Sequence, residues 1–163
     1  MVELTLGTGL AIAGAALALG VAGVSSALGI RAAGIAAAGA VAEKKEHFKN
    51  ALILQALPQT QTIYAFITAL LIIMGVGFLG GSGGLALSTG KGLVFFGAGL
   101  VVAITGISAV SQGMVAAAGI VACTKNQEAF APSLVFSGQC ETPAIFGFIA
   151  ALMILIVGLG VLG

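Results

Sequence analysis

Residues 142–163 read TPAIFGFIAALMILIVGLGVLG, a run without a single charged side chain. About 20 consecutive apolar residues are enough to cross the hydrocarbon core of a bilayer as one helix. Three longer uncharged runs precede this one, at residues 4–30, 50–90 and 92–124. The sequence therefore predicts four transmembrane helices, at about residues 5–40, 46–79, 91–123 and 130–163.

The composition of the chain is typical of a membrane protein and argues against the soluble classes. Of 163 residues, 60% are hydrophobic and 7% are charged, whereas a soluble domain carries about 25% charged residues. Disordered chains combine low hydrophobicity with high net charge, and the net charge here is +1. That charge does not indicate a nucleic-acid partner, and we expect none. With one His, no Cys/His pair and no phosphate loop, we expect that the chain is not an enzyme by itself.

The two halves of the chain resemble each other at a constant spacing. Residues 63–70 (IYAFITAL) align with residues 145–152 (IFGFIAAL). We call the constant offset in residue number between aligned positions, such as 63 and 145, the repeat spacing. Internal repeats of this kind are typical of membrane proteins built from fused copies of one unit. We therefore expect an all-α membrane fold of two fused helical hairpins in parallel orientation, residues 1–80 and residues 81–163.

The basic residues predict which side of the membrane each loop faces. Two polar loops, residues 42–50 and 124–131, join the first helix to the second and the third helix to the fourth. The basic residues in or near these loops are Arg31, Lys44, Lys45, Lys49 and Lys125. By the positive-inside rule, both polar loops are cytoplasmic and both termini lie outside. The remaining connection, GGSGG at residues 80–84, is predicted to be a flexible turn on the opposite side.

Small residues recur every seven positions in the first and third helices. The two series are Gly92, Gly99, Gly106 and Gly113 in the third helix, and Ala13, Gly20, Ala27 and Gly34 in the first. In lipid, small residues let helix backbones approach one another closely. Two interpretations are open: tight packing within one four-helix chain, or a crowded inner ring on which helices from many subunits converge.

Glu141 is the one carboxylate inside an apolar stretch, with uncharged residues before it at 129–140 and after it at 142–163. Because burying a charge in hydrocarbon is costly, an ionisable residue there is functional by default. The alternative is a protonated, hydrogen-bonded side chain that only holds helices together. In the first half of the chain, the position that corresponds to Glu141 at the repeat spacing is Gln59, so the chain has one such carboxylate for four helices.

Neutral oxygen atoms are predicted beside this carboxylate. One face of the second helix carries, at the spacing i, i+3, i+4, i+7, the residues Leu57, Thr60, Gln61 and Tyr64. Gln112 is the one amide side chain in the third uncharged run. Pro58 has no N–H, so the carbonyl of Leu54 loses its helical partner. The carbonyl of Leu57 keeps a free lone pair and could coordinate a cation. One carboxylate with several neutral oxygens suits a small hard cation and favours Na⁺ over H⁺, although Gln and Thr could also hydrogen-bond a carboxylic acid.

Three segments carry a resemblance to a known family: residues 51–64 (ALILQALPQTQTIY), residues 111–120 (SQGMVAAAGI) and residues 141–148 (ETPAIFGF). With them, the chain resembles, over nearly its full length, the proteolipid rotor subunit of V-type and archaeal-type rotary ATPases. In that family the subunits form a membrane ring, and a Glu on the fourth helix carries the transported ion. Glu141 matches that Glu.

The resemblance also implies the ligands, the cargo and the partners. Sodium-binding members use a backbone carbonyl, a Thr and a Gln of the second helix, a Gln of the third helix, and a Tyr that hydrogen-bonds the carboxylate. The matching residues are, in that order, Leu57, Thr60, Gln61, Gln112 and Tyr64. The expected cargo is Na⁺, with H⁺ as the alternative, and no organic cofactor is expected.

The partners implied by the resemblance are membrane and stalk proteins of one complex. They are identical subunits in a ring, a stator membrane subunit with half-channels, a central-stalk subunit and lipid. Ion transport would be coupled to ATP hydrolysis or synthesis, in the cell membrane of a prokaryote.

Two other functions are considered. A small proton-coupled multidrug antiporter also has four helices and one membrane Glu. Its Glu, however, lies on the first helix among aromatic residues, whereas Glu141 is on the last helix and the chain has no Trp. The third possibility is a purely structural membrane oligomer or pore, in which no ion would protect Glu141.

Overall fold

The computed structural model of the chain describes residues 4–78 and 86–160, most of which are helical. The α-helices are α1 (Leu6–Glu43), α2 (Phe48–Ala56), α3 (Thr60–Val76), α4 (Thr89–Gly106), α5 (Ser108–Lys125), α6 (Phe130–Gln139) and α7 (Thr142–Leu159). Short 3₁₀ turns at Lys45–His47, Leu57–Gln59 and Gln127–Ala129 join some of them.

These elements form four helical spans within the described residues. In chain order, the first to fourth spans are Leu6–Glu43, Lys45–Val76, Thr89–Lys125 and Gln127–Leu159. Each is long and apolar enough to cross a membrane. The prediction of four transmembrane helices is therefore confirmed, and the chain is an integral membrane protein. The predicted turn at residues 80–84 lies outside the described residues.

Glycine residues bring the first and third spans into backbone contact. The third-span glycines, each with the first-span residue that an added Cβ would overlap, are Gly92 with Gly7, Gly99 with Gly14, Gly106 with Ala22, and Gly113 with Gly29. The glycine series predicted from the third helix thus packs within one chain. Such contact between backbones is possible only where neither residue carries a large side chain.

The first-span series behaves differently. Ala13, Gly20 and Ala27 are exposed, and Gly34 is half-buried, so this series does not contact the third span. The residues that do so, such as Gly14 and Gly29, lie one or two positions further along the helix. In a helix rich in Gly and Ala, a spacing of seven recurs on several faces, so the spacing alone does not identify the packed face.

The second and fourth spans pack side by side against this glycine-lined pair, and both are interrupted near their middle. In the second span, the turn Leu57–Gln59 contains Pro58 and separates α2 from α3. In the fourth span, α6 ends at Gln139 and α7 begins at Thr142, one residue before Pro143. Proline lacks an N–H and cannot continue the helical hydrogen bonds, which explains both interruptions. The residue between α6 and α7 that immediately precedes Thr142 is Glu141.

The boundaries of several elements recur at the repeat spacing. The turn that starts at Lys45 corresponds to the one that starts at Gln127, and the helix that starts at Thr60 corresponds to the one that starts at Thr142. The repeat seen in the sequence therefore extends to the breaks of the second and fourth spans, whereas the break at Ile107 in the third span has no counterpart in α1. The predicted division of the chain after residue 80 falls outside the described residues.

We expect Gly113→Ala to destabilise the protein because its Cβ would overlap the backbone carbonyl oxygen of Gly29, which cannot turn aside. Overpacking of this kind costs about 1–3 kcal/mol. The measurement is the melting temperature Tm of the purified protein in detergent, followed by circular dichroism. The control is Gly97→Ala on the same span, where no other described element lies within 4 Å of the added Cβ. Equal Tm values for the two variants would contradict the packing described above.

Candidate functional site

Glu141 lies where three spans meet. Its side chain is half-buried at the break between α6 and α7. The phenol of Tyr64, on the second span, donates a hydrogen bond of 2.6 Å to Glu141 Oε1. The amide Nε2 of Gln112, on the third span, donates one of 3.3 Å to Glu141 Oε2. Both carboxylate oxygens therefore accept a hydrogen bond, each from a different neighbouring helix, as a charged group in an apolar setting requires.

Two buried amide side chains next to the carboxylate, Gln61 and Gln112, are hydrogen-bonded to each other. Gln61 Nε2 donates a hydrogen bond of 2.7 Å to Gln112 Oε1. These two side chains are almost inaccessible, with 1% of Gln61 and 0% of Gln112 exposed. Gln61 Nε2 also lies 3.5 Å from the hydroxyl of Ser108. Because buried amides are costly unless they are hydrogen-bonded, this pairing fixes how the second span is rotated against the third.

The hydrogen-bonded chain ends at the proline turn of the second span. The hydroxyl of Thr60 lies 3.1 Å from the carbonyl oxygen of Leu57 and 3.2 Å from Gln61 Oε1. The Leu57 oxygen also accepts the backbone N–H of Thr60. The carbonyl that the sequence predicted to be available is thus engaged by Thr60. Because a hydroxyl can rotate, the Thr60 hydroxyl could turn its oxygen towards a cation. The cation could then contact the Leu57 carbonyl in place of the hydroxyl hydrogen.

Aromatic stacking holds Tyr64 in position. Its ring stacks on that of Phe148, with 5.2 Å between the centroids and 17° between the planes. The backbone carbonyl of Tyr64 accepts the hydroxyl of Thr68 at 2.9 Å. The stacking leaves the phenol free to point at Glu141 and limits its movement, so the hydrogen bond to the carboxylate is preorganised.

The structure brings together all six residues predicted from the sequence. Tyr64 and Gln112 contact the carboxylate of Glu141 directly, whereas Gln61, Thr60 and the Leu57 carbonyl are connected to it through Gln112. The assembled acceptors are carboxylate, amide, hydroxyl and carbonyl oxygens. Oxygen atoms of these kinds suit a proton or a hard cation rather than a soft transition metal.

Sequence reasoning missed three supporting residues. Ser108 contacts Gln61, Phe148 stacks on Tyr64, and the hydroxyl of Ser137 donates to the backbone carbonyl of Gln112 at 3.2 Å. A signal for each was present in the helical spacing. Ser108 lies four residues before Gln112, Ser137 four residues before Glu141, and Phe148 seven residues after Glu141, so each shares a helical face with a predicted site residue.

The segments of the chain that match known proteins include every residue of this site. Residues 13–72 and residues 96–154 each match the family of the ATP synthase C subunit. The V-type sodium ATPase subunit K of Enterococcus hirae is 39% identical over 135 residues, which is 82% of this chain and 82% of that protein. The A-type ATP synthase subunit K of Methanocaldococcus jannaschii is 38% identical over 143 residues, which is 88% of this chain. The match spans 60% of the length of the latter protein.

We expect Gln112→Leu to lower the stability of the protein, because the buried amide of Gln61 would lose its hydrogen-bond partner at 2.7 Å. Leaving such a group unpaired costs about 1–3 kcal/mol. The check is again Tm in detergent, compared with Ser111→Ala, which alters an exposed side chain on the same helix. If Gln112→Leu melts no earlier than Ser111→Ala, the amide pair does not stabilise the fold.

Proposed function

This chain belongs to the family of the ATP synthase C subunit, and on that premise we propose that it is a rotor-ring subunit of a V-type or A-type rotary ATPase. In this proposal Glu141 carries the transported ion across the membrane while the ring turns. The partners are identical subunits in the ring, a stator membrane subunit with half-channels, a central-stalk subunit and lipid. The chain is an ion-translocating subunit and does not itself catalyse ATP hydrolysis or synthesis.

The observation that carries the proposal is the hydrogen-bonded chain from Leu57 to Glu141. A carboxylate in mid-membrane is costly when charged, and its two donors, Tyr64 and Gln112, lower that cost in the absence of a cation. An ion that neutralises Glu141 removes most of the cost. A site that holds its ion can therefore face hydrocarbon, whereas an empty, ionised site cannot. This difference couples rotation of the ring to the flow of ions.

We further propose Na⁺ as the cargo, with H⁺ as the alternative. A proton needs only the carboxylate of Glu141, whereas Na⁺ needs several oxygens around it. The side chains of Gln112, Gln61 and Thr60, with the carbonyl of Leu57, supply neutral oxygens within one connected cluster. Tyr64 holds the carboxylate from the other side and is not itself a ligand. The sodium ATPase subunit K of E. hirae, a relative at 39% identity, fits this choice of ion.

The orientation of the chain follows from its charges. We place both polar loops, residues 42–50 and 124–131, in the cytoplasm and both termini outside, in the cell membrane of a prokaryote. In this arrangement two hairpins, residues 1–80 and residues 81–163, run parallel to each other. Glu141 then lies near the middle of the fourth span, at about the same depth as the proline turn of the second span.

Carbodiimide labelling of Glu141 tests the cargo. These reagents attack a protonated, accessible carboxyl group, so a bound Na⁺ should block the reaction. We expect millimolar Na⁺ to suppress labelling of Glu141 at fixed pH, as read by mass spectrometry of purified membranes. Labelling that depends only on pH would leave the rotor function in place and identify H⁺ as the ion. Absence of any labelling would contradict both and leave Glu141 with a structural role.

A matched pair of variants connects this protection to the neutral oxygens. Gln61→Leu removes an amide of the cluster. We expect Glu141 still to be labelled, but the Na⁺ concentration that halves its labelling should rise at least about tenfold. The reason is that an interaction with a charged group contributes about 1.5–3 kcal/mol. Gln127→Leu makes the same replacement at an exposed position at the start of the fourth span and should leave protection unchanged. Equal Na⁺ dependence in the two variants would contradict the ligand assignment.

Glu141→Gln tests the transport role in the assembled complex. We expect it to abolish ion-coupled ATP turnover while the ring still assembles, because the amide cannot change charge. The control is Glu128→Gln, which removes an exposed carboxylate from the short turn at the start of the fourth span. Coupled transport in Glu141→Gln would contradict the proposal.

A further inference from the structure

Gln59 is a polar side chain for which the described part of the chain supplies no hydrogen-bond partner. It lies exposed near the middle of the second span, about half a helical turn around from Leu57 and Tyr64. Within the described residues its amide makes no hydrogen bond. It lines a cavity of about 240 Å³ between the first and second spans, together with Ile30 and Gln55. Lipid chains offer no hydrogen-bond partner, so an amide at this depth needs a protein neighbour.

The internal repeat identifies the neighbour that is missing. At the repeat spacing, Gln59 corresponds to Glu141, and Ile30 corresponds to Gln112. Ile30 and Gln59 line the same cavity, just as Gln112 contacts Glu141. The cavity is therefore the first hairpin's counterpart of the Glu141 site. It lacks a further helix to complete it, as the second span completes the site around Glu141.

The surface that could complete it lies on the opposite flank of the chain. Around Glu141 the site is completed by the second span, which carries Leu57, Thr60 and Tyr64. The corresponding fourth-span residues are Gln139, Thr142 and Phe146, all of which are exposed, with 67% of Phe146 accessible. Among the described residues Thr142 has no side-chain hydrogen bond.

The backbone on this surface also has an acceptor to spare. The carbonyl of Gln139 would bond to the N–H four residues later in a regular helix, but that residue is Pro143, which has none. The exposed surface around Thr142 therefore offers both a hydroxyl and a carbonyl oxygen. These groups are complementary to the two N–H donors and the oxygen of an amide.

We propose that Gln59 of one copy packs against the start of α7 of the next copy, its amide hydrogen-bonded to the hydroxyl of Thr142 and the carbonyl of Gln139. The two complementary surfaces lie on different flanks of one chain, so the contact is head-to-tail, the kind of contact that builds a ring when its rotation closes. The inference rests on the ring of identical subunits in the proposed function and specifies the groups that join its members.

This junction is a second copy of the ion site that does not hold an ion. The positions of Glu141, Gln61 and Tyr64 are taken there by Gln59, Pro143 and Phe146. No carboxylate is left to balance a cation, and of the neutral ligands only the hydroxyl of Thr142 and the carbonyl of Gln139 remain. Each chain thus contributes one ion site and one polar junction at about the same depth in the membrane.

Cysteine cross-linking between two differently tagged chains tests the junction. One chain carries Gln59→Cys and the other Thr142→Cys, both in a background with Cys123→Ala and Cys140→Ala, and they are expressed together and oxidised in membranes. We expect a covalent dimer that carries both tags. The control pair, Leu70→Cys with Val135→Cys, also occupies exposed apolar positions but lies towards opposite ends of the two spans, and it should give no such dimer.

Two results would overturn the proposal. One is absence of the mixed dimer although native mass spectrometry finds the ring intact, and the other is an equal yield from the control pair. Cross-linking does not depend on which ion is carried, or on whether one is carried. The junction can therefore fail while Na⁺ protection of Glu141 stands, and the reverse is also true.

Gln59→Glu tests whether the junction can hold a cation. The new carboxyl group would lack the amide ligands that surround Glu141, so we expect carbodiimide to label it at the same rate with and without Na⁺. Glu141 in the same molecule is the internal reference for labelling and protection. Protection of both positions by the same Na⁺ concentration would overturn the assignment of the junction as a site without an ion.

Discussion

A carboxylate in the middle of a membrane span must be held by donors from neighbouring helices, and the rest of this structure depends on that constraint. Tyr64 and Gln112 supply the two hydrogen bonds to Glu141. For both to reach, the second, third and fourth spans must be packed closely and at one depth. The interruptions in the second and fourth spans occur at this same depth, where prolines open the backbone. The polar site and the irregular helix geometry are two aspects of one arrangement.

The glycine contacts make this geometry possible. Because Gly92, Gly99 and Gly113 have no side chain, the third span lies directly against the backbone of the first. The first and third spans therefore form a narrow pair, and the second and fourth spans carry the proline turns. A buried hydrogen-bonded pair, Gln61 with Gln112, then fixes the rotation of the second span relative to the third. Close packing positions the helices, and the amide pair selects one rotation among those that packing allows.

The second and fourth spans break at corresponding positions, but the two halves of the chain differ in chemistry. The second half has Glu141 where the first has Gln59, and Gln112 where the first has Ile30. With a single carboxylate for four spans, a ring of such chains carries fewer ions per turn than a ring of simple hairpins with the same number of helices. The retained polarity at Gln59 is explained by a contact between copies, which needs hydrogen bonds but no charge.

The four spans, the helical faces that carry the site residues and the approximate repeat can all be predicted without any coordinates. Long uncharged runs and helical spacing are local properties, and they placed Thr60, Gln61 and Tyr64 on one face. The folded chain was needed to show that Gln112 lies between Gln61 and the carboxylate, that Phe148 and Ser108 support the site, and which first-span glycines meet the third span. Periodicity fixes directions within one helix, but the relative rotation and height of helices distant in sequence arise from side-chain packing between them.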